Sequence, residues 1–273
     1  MALNYAEVWS PDLLEIMEQD SLTSPFVTTA VKWLSAKTFH FTQMSTSGYK
    51  SHSRLGGWNK GTVEQTDVPF TLTHDRDIQF MIDKIDVDET NETASIKKIS
   101  EVFHKTQQIP EMDAYFYSKV ATEAQKLDGY HSSTALSSYT KENVYGKLKA
   151  MLSAGKLRRY VAKGALIAYV NSTIMDLLEQ STDFTRKIEM TQIAEGGIGI
   201  ETRITDIDGV TLIEVIDDER FYDKFDFTDG FAPVASTSHK INVLIASPLT
   251  VKTVPKIASI YYFNPGQHTE GDG

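Results

Sequence analysis

Residues 75–120 read DRDIQFMIDKIDVDETNETASIKKISEVFHKTQQIPEMDAYFYSKV, and they are the most informative part of the chain. Apolar and polar residues alternate over Ile78–Ile82, which predicts a strand. After an acidic turn, apolar residues recur every three or four positions over Ile96–Phe103, which predicts a helix. Pro110 interrupts this pattern. It suits the first turn of a second helix, where its missing N–H would have no partner, and that helix is predicted to run to about Leu127.

A long hairpin is predicted before this stretch. Alternation of apolar and polar residues around Phe39–Phe41, and again around Phe70–Leu72, indicates two strands. Between them lies the polar, glycine-rich segment SGYKSHSRLGGWNKGTVEQTD, residues 47–67. A loop of this length without a core of its own usually signals function or disorder. Leu55 and Trp58 are apolar residues in this segment, and an exposed tryptophan is more easily explained by a binding partner.

A short N-terminal helix is predicted to start at Ser10 and Pro11, a cap followed by proline in the first turn. It carries four apolar residues, Leu13, Leu14, Ile16 and Met17. A helix this short is marginal alone and needs something to pack against. The sequence leaves two partners open for it, its own domain and a neighbouring subunit.

Alternating helices and strands are predicted downstream of the residue 130–140 break, which is rich in Ser and Thr. Asp208-Gly209 is predicted to turn a β-hairpin. The predicted elements are a helix over 141–152, a buried strand over 165–170, a helix over 173–180, and short strands over 188–190, 204–207 and 210–216. After these, the chain is predicted to return to strands between residues 239 and 263.

The composition is that of an ordinary globular protein. The 273 residues are 41% hydrophobic and 23% charged, and the formal net charge is −10. That charge disfavours binding to nucleic-acid phosphates, which relies on clustered Lys and Arg. The densest basic run, residues 147–159, is either a polyanion contact or a solvated face. Cysteine is absent, which excludes disulfides and thiol chemistry. No stretch approaches the length of a membrane span, so no membrane is expected as a partner.

An acidic cluster is the one candidate for a metal site. Carboxylates bind Mg²⁺ and Ca²⁺, but the EF-hand spacing is missing, and a turn rich in Asp and Thr suits helix capping. We therefore expect capping and no metal. The cluster comprises Asp83, Asp86, Asp88, Glu89 and Glu92.

Patterns typical of enzymes are missing from the sequence. The histidines do not have metal-ligand spacing, and there is no G-x-S-x-G motif. Glu195–Gly199 has three glycines without the Lys-Ser/Thr of a phosphate-binding loop. Asp217–Glu219 is expected to be a solvated turn. We expect no catalytic residue, no cofactor and no enzymatic activity.

The order of long hairpin, strand, helix and Pro-led helix resembles the major capsid protein family of tailed bacteriophages, the Hong Kong 97-type fold. The segment FHKTQQIPEMDAY, residues 103–115, is the most specific part of the resemblance. The resemblance implies an α+β fold divided into four parts. These are an N-terminal arm (1–36), an E-loop hairpin (37–75), a P-domain with spine helix and sheet (76–140 and 236–273), and an α/β A-domain (141–235).

The resemblance also implies a function and partners. The chain would self-assemble into hexamers and pentamers of an icosahedral shell, in the virion, around double-stranded DNA held without sequence-specific binding. Assembly would take place in the host bacterial cytoplasm, with a portal protein and, as an optional partner, a decoration protein. Many relatives carry a scaffolding segment ahead of the arm, whereas Met1 lies almost directly before it. This difference implies either a separate scaffolding protein or a numbering that begins after a removed segment.

Contacts between subunits are expected at Leu13, Leu14, Ile16, Met17, Leu55 and Trp58. Two alternative functions remain open at this point. One is an encapsulin-like compartment shell that encloses a cargo enzyme. The other, from a different class, is a metal-dependent hydrolase that uses the acids of Asp83–Glu92.

Overall fold

The computed structural model describes residues 21–28, 31–35, 37–52, 56, 58–80, 96–154, 157–161, 165–181, 189–192 and 201–255. The chain divides into two compact units. The small unit is Thr28–Met81, and the large unit joins Met1–Val27 to Ile82–Gly273. Helices and small sheets occur together, so the predicted α+β class is confirmed.

The small unit is a three-stranded antiparallel sheet. Its strands, in sheet order, are β1 (Lys32–Trp33), β2 (Thr38–Thr46) and β3 (Val63–Thr71). β2 and β3 pair along their whole lengths, from Thr38 opposite Thr71 to Thr46 opposite Val63. The predicted long hairpin is therefore confirmed.

One long helical rod dominates the beginning of the large unit. It consists of α1 (Ile96–Phe103), a π-helical segment (His104–Gln108) and α2 (Ile109–Gln125). Both predicted helices are present, but the predicted break between them is wrong. The rod continues through Pro110 and extends roughly 40–45 Å at the usual helical rise.

The π-helical segment explains how the helix tolerates Pro110. In a regular α-helix the proline ring would clash with the carbonyl four residues earlier, and one hydrogen bond would be lost. Here the Ile109 amide donates to the carbonyl of His104, five residues back. The wider turn changes the backbone immediately before the proline, so the helix accommodates the proline without ending.

A five-stranded mixed sheet forms the centre of the large unit. Its strands are β4 (Ile167–Asn171), β5 (Glu189–Gln192), β6 (Glu201–Ile207), β7 (Val210–Val215) and β10 (Val243–Ala246). Their order in the sheet is β10-β4-β7-β6-β5. β4 is parallel to β7, and the other pairs are antiparallel. The hairpin between β6 and β7 turns at Asp208 and Gly209, as predicted, and both residues have positive φ, 53° and 80°.

Among the described residues, the large unit also contains three further α-helices and a short ribbon. The helices are α3 (Val144–Ser153), α4 (Arg158–Val161) and α5 (Ser172–Glu179). The ribbon pairs β8 (Phe225–Asp226) with β9 (Ala232–Pro233). α3 and α5 match predicted helices. α3 begins at Val144, later than predicted, because residues 140–143 form a turn in which the amides of Asn143 and Val144 both donate to the Thr140 carbonyl.

The neighbouring strands β4 and β7 of the central sheet are buried on both faces. Ala168 and Val170 of β4 belong to a core formed with α3 and α5. Tyr169, between them, points into a second core with Phe116 and Tyr117 of α2. This alternation explains why the predicted strand over residues 165–170 is apolar throughout, since a strand covered on both sides has no polar face.

Two predicted β segments differ from the structure. Residues 72–80 form no strand, so the prediction over Ile78–Ile82 is wrong for Ile78 to Phe80. A strand needs a hydrogen-bonded neighbour, and the described strands pair with one another without this segment. In the C-terminal part, β10 is present, and the described residues 251–255 contribute a single bridge, Thr253 to Val27. Residues 256–263 lie outside the described residues.

The start of the described chain is fastened into the large unit by a buried carboxylate. Asp113 of α2 is fully buried and accepts hydrogen bonds from Ser21 Oγ at 2.5 Å and Thr23 Oγ1 at 2.8 Å. The amide of Leu22 also donates to it, at 3.3 Å. Residues 21–27, which the sequence analysis includes in the N-terminal arm, are thus held in place, and Phe26 is buried against Phe116, with ring centroids 4.7 Å apart.

Arg220 completes this buried polar centre from a third part of the chain. It donates to Asp113 at 3.2 Å and to Asp217 at 2.9 Å, with nine-tenths of its side chain buried. Burial lowers the pKa of Arg220, but Asp113 and Asp217 outweigh that effect and hold the pKa above its usual value. The guanidinium therefore stays charged, and its charge is balanced within the core.

Asp113→Ala is expected to lower the free energy of unfolding by about 3–5 kcal/mol, because it removes one partner of a buried ion pair and leaves several donors unsatisfied. Urea unfolding followed by circular dichroism measures the change. Asp128→Ala is the control, since Asp128 is exposed just beyond the same helix, and it should change stability by less than about 0.5 kcal/mol. Equal unfolding midpoints for the two variants would contradict the role assigned to Asp113.

Candidate assembly surface

The stem of the small unit is held together by aromatic packing. Phe39 is the buried residue at its centre, and three other rings surround it. Its ring centroid lies 5.4 Å from that of Trp33, 5.7 Å from Phe41 and 5.8 Å from Phe70. An isolated two-stranded hairpin is marginally stable at best, so this cluster and β1 are what support the base of the hairpin.

The tip of the hairpin, residues 47–63, is organised by hydrogen bonds between its two sides. The Ser47 amide donates to the Thr62 carbonyl at 3.0 Å, and Ser47 Oγ accepts from the Thr62 amide at 2.9 Å. Further out, Asn59 Nδ2 donates to the Ser51 carbonyl at 2.9 Å, and Lys50 Nζ donates to the Lys60 carbonyl at 3.1 Å. These contacts place the Lys50 ammonium beside the backbone of the opposite side.

The tip exposes both aromatic rings and cations. Trp58 is 94% exposed, and Tyr49 is fully exposed. The segment carries Lys50, Arg54 and Lys60 and contains no Asp or Glu, although the whole chain is strongly acidic. Exposed large rings grouped with one sign of charge are typical of a binding surface.

The long outer edge of the hairpin is protected against strand pairing. β3 contains Glu64, Asp67 and Pro69. Charged side chains and proline on an edge strand disfavour the addition of another strand, and proline cannot donate a hydrogen bond to one. Binding through the side chains at the tip is therefore more consistent with this sequence than binding through the strand edge.

The six contact residues predicted from the sequence fall into two groups. Trp58 lies at the exposed tip, as described above. The other five, Leu13, Leu14, Ile16, Met17 and Leu55, lie outside the described residues. The sequence analysis did not single out Tyr49 as a contact residue. Its position in the same glycine-rich, acid-free segment as Trp58 is the signal that could have identified it.

The acidic run Asp217–Glu219 has a structural role. Asp217 accepts from the Glu219 amide at 3.2 Å and pairs with Arg220, while Asp218 pairs with Lys240 at 2.5 Å. Each aspartate thus caps a turn or balances a cation, as expected for a turn. Asp83–Glu92 and Glu195–Gly199 lie outside the described residues.

The basic run of residues 147–159 is largely engaged within the chain. Lys149 and Arg158 both pair with Asp208, at 3.2 Å and 3.5 Å. Lys147 donates to the Ser138 carbonyl at 2.6 Å and lies over the Tyr139 ring. Because these cations have partners on the same unit, the solvated-face interpretation fits them better than a polyanion contact.

His104 is buried within the π-helical segment and contacts the Gln108 side chain through Nδ1. Burial lowers the pKa of His104, which keeps the ring neutral near pH 7, and the Gln108 contact opposes this only in part. In the part of the chain that the structure describes, no three His, Asp or Glu residues are grouped so that they could hold a metal ion.

The chain has no significant match to family models, to curated proteins or to solved structures. Among the described helices, none is long and apolar enough to cross a membrane. The exposed hairpin tip is the surface of the described chain that most resembles a binding site.

Trypsin is expected to cut the free chain first at Lys50 and Lys60, because both lie on the exposed tip. Self-associated protein should resist cleavage at these sites, since a partner would cover them. Mass spectrometry of timed digests identifies the first cuts. A variant with Lys50→Gln, Arg54→Gln and Lys60→Gln should lack the early fragments. Equal cleavage rates in the free and associated states would exclude the tip from the contact.

Proposed function

We propose that this chain is the major capsid protein of a tailed bacteriophage, a structural protein without enzymatic activity that assembles into an icosahedral shell. The finer fold belongs to the proposal. The hairpin corresponds to an E-loop, and the rod Ile96–Gln125 to the spine helix of a P-domain. Residues 141–235 correspond to an A-domain, whose strand β4 shares one sheet with β10 of the P-domain.

The observation that carries the proposal is the hairpin, which is a compact unit distinct from the main core and ends in exposed aromatic rings. Trp58 and Tyr49 at the tip are solvated in the single chain, which costs free energy that burial against a partner would recover. Because every copy carries the same hairpin, a head-to-tail contact made through it repeats from copy to copy. Such contacts close into rings when the rotation between copies allows it.

The large unit has features that suit a shell. Its strands β4 and β7 are buried on both faces, and its long helix is joined by the Asp113–Arg220 pair to the turn that follows β7, so it is expected to behave as a stiff body. A shell under load needs stiff subunits joined by many modest contacts. The acidic net charge also supports solubility of free subunits until apolar contacts overcome their repulsion.

The proposed partners follow from this role. Copies of the chain form hexamers and pentamers, and a portal protein, a scaffolding protein and, as an optional component, a decoration protein join them. The shell encloses double-stranded DNA without reading its sequence. The protein is located in the virion after assembly in the host bacterial cytoplasm.

The purified chain is expected to run as monomer, capsomer or megadalton particle in gel filtration, and negative-stain electron microscopy should show closed shells. Nuclease-protected DNA inside particles made in infected cells would distinguish a capsid from an encapsulin-like shell, which would hold a protein cargo. A small, defined oligomer with chelator-sensitive hydrolytic activity would overturn the proposal in favour of a metal-dependent hydrolase.

Trp58→Ala is expected to leave the thermal melt within about a degree of the wild type, because the ring is almost fully exposed in the single chain. Particle yield should fall at least tenfold, since the loss recurs at every subunit contact. Light scattering and electron microscopy measure the yield. Trp58→Phe keeps an aromatic ring and should retain most of the particle yield. Normal particles from Trp58→Ala would show that the tip tryptophan is not an assembly contact.

A further inference from the structure

A second aromatic surface lies on the large unit, around the turn between β8 and β9. We call it the acidic ridge, residues 222–231. Its four rings contact one another and are only partly buried. Ring centroids are 6.0 Å apart for Tyr222 and Phe225, 5.9 Å for Phe225 and Phe227, and 6.2 Å for Phe225 and Phe231.

The ridge is seated on the long helix. The Phe227 ring packs edge-on against Tyr115 of α2, with centroids 5.6 Å apart. Asp223 at its base is buried and accepts from the His239 amide at 2.6 Å and from Gln125 Nε2 at 3.2 Å. The partly exposed rings are therefore supported by a fixed framework.

Exposed negative charge accompanies these rings. Asp226 and Asp229 are exposed, and Lys224 is the one basic residue of the ridge. The Thr228 hydroxyl donates to Asp226 Oδ1 at 2.6 Å and the Thr228 amide at 2.9 Å, and these bonds lower the pKa of Asp226. The ridge thus combines aromatic faces with exposed carboxylates.

The hairpin tip has the complementary chemistry. It carries Lys50, Arg54 and Lys60 without any acid, together with the exposed rings of Tyr49 and Trp58. Ammonium groups are attracted both to carboxylates and to aromatic faces, and aromatic rings pack against each other. Every copy of the chain supplies both surfaces, which is the requirement for a head-to-tail contact.

We propose that the hairpin tip of one copy docks on the acidic ridge of a second copy, with Lys50 and Lys60 facing Asp226 and Asp229 and Trp58 packing against the phenylalanine rings. The proposal rests on the proposed self-assembly and names the surface that receives the tip. The contact joins two different copies. Because its charges lie near solvent, assembly should weaken as salt increases.

Charge reversal in the full-length chain tests this pairing. Asp226→Lys with Asp229→Lys should reduce the assembly rate at least tenfold, and Lys50→Glu with Lys60→Glu should do the same. The chain that carries all four reversals should recover most of the rate, because the attraction is restored with its signs exchanged. Light scattering gives the rate, and electron microscopy identifies the product.

Two controls keep the result interpretable. Asp128→Lys with Glu142→Lys makes the same change in net charge at exposed positions outside the ridge, and it should assemble at close to the wild-type rate. Asp229→Lys alone leaves the bonds between Asp226 and Thr228 in place. If Asp226→Lys with Asp229→Lys melts at a lower temperature than the wild type, this single variant takes its place in the assembly measurement.

Recovery in the fourfold variant supports the docking. Absence of recovery, while the wild type still forms shells, overturns the docking and leaves the proposed function standing. Failure of the wild type to associate overturns both. Binding of a single-stranded DNA oligonucleotide is measured for the wild type and for Lys50→Glu with Lys60→Glu. If the wild type binds it and the variant does not, the tip is a nucleic-acid contact and the docking is wrong.

Discussion

The large unit depends on one buried charge pair, between Asp113 and Arg220. Each of these ions would be costly to bury alone, so the fold must bring them together and supply further donors. Ser21 and Thr23 supply them, which fixes the start of the described chain against the long helix. Three distant parts of the sequence thus meet at one carboxylate, and packing of Phe26 and Phe116 follows from that placement.

Local patterns predicted much of the secondary structure. The hairpin strands and the Asp208-Gly209 turn were predictable because alternation and left-handed turn residues act over a few positions. Pro110 misled the prediction, because a proline normally ends a helix and nothing in the sequence signals a π turn before it. The Asp113–Arg220 pair was also missed, since an acid within a helix is more often solvated, and its partner lies 107 positions away.

Long-range pairing set the other limit to prediction. β10 and β4 lie more than 70 positions apart in the sequence, yet the two strands pair residue by residue in one sheet. Strand partners that are far apart in sequence leave no local signal. Of the candidate surface, the sequence predicted the long tip and Trp58. The ridge of residues 222–231 was not identified, because its rings come together only when the β8–β9 ribbon forms.

The two units differ in how they obtain stability, and that difference bears on function. The large unit buries charges and rings within itself, and its strands β4 and β7 are covered on both faces. The hairpin has a small aromatic cluster at its base and leaves Tyr49 and Trp58 in water at its tip. The exposed rings at the tip contribute little to the stability of the monomer. The tip therefore makes physical sense as a surface that is completed by another molecule, and a second copy is the partner that every such chain already has.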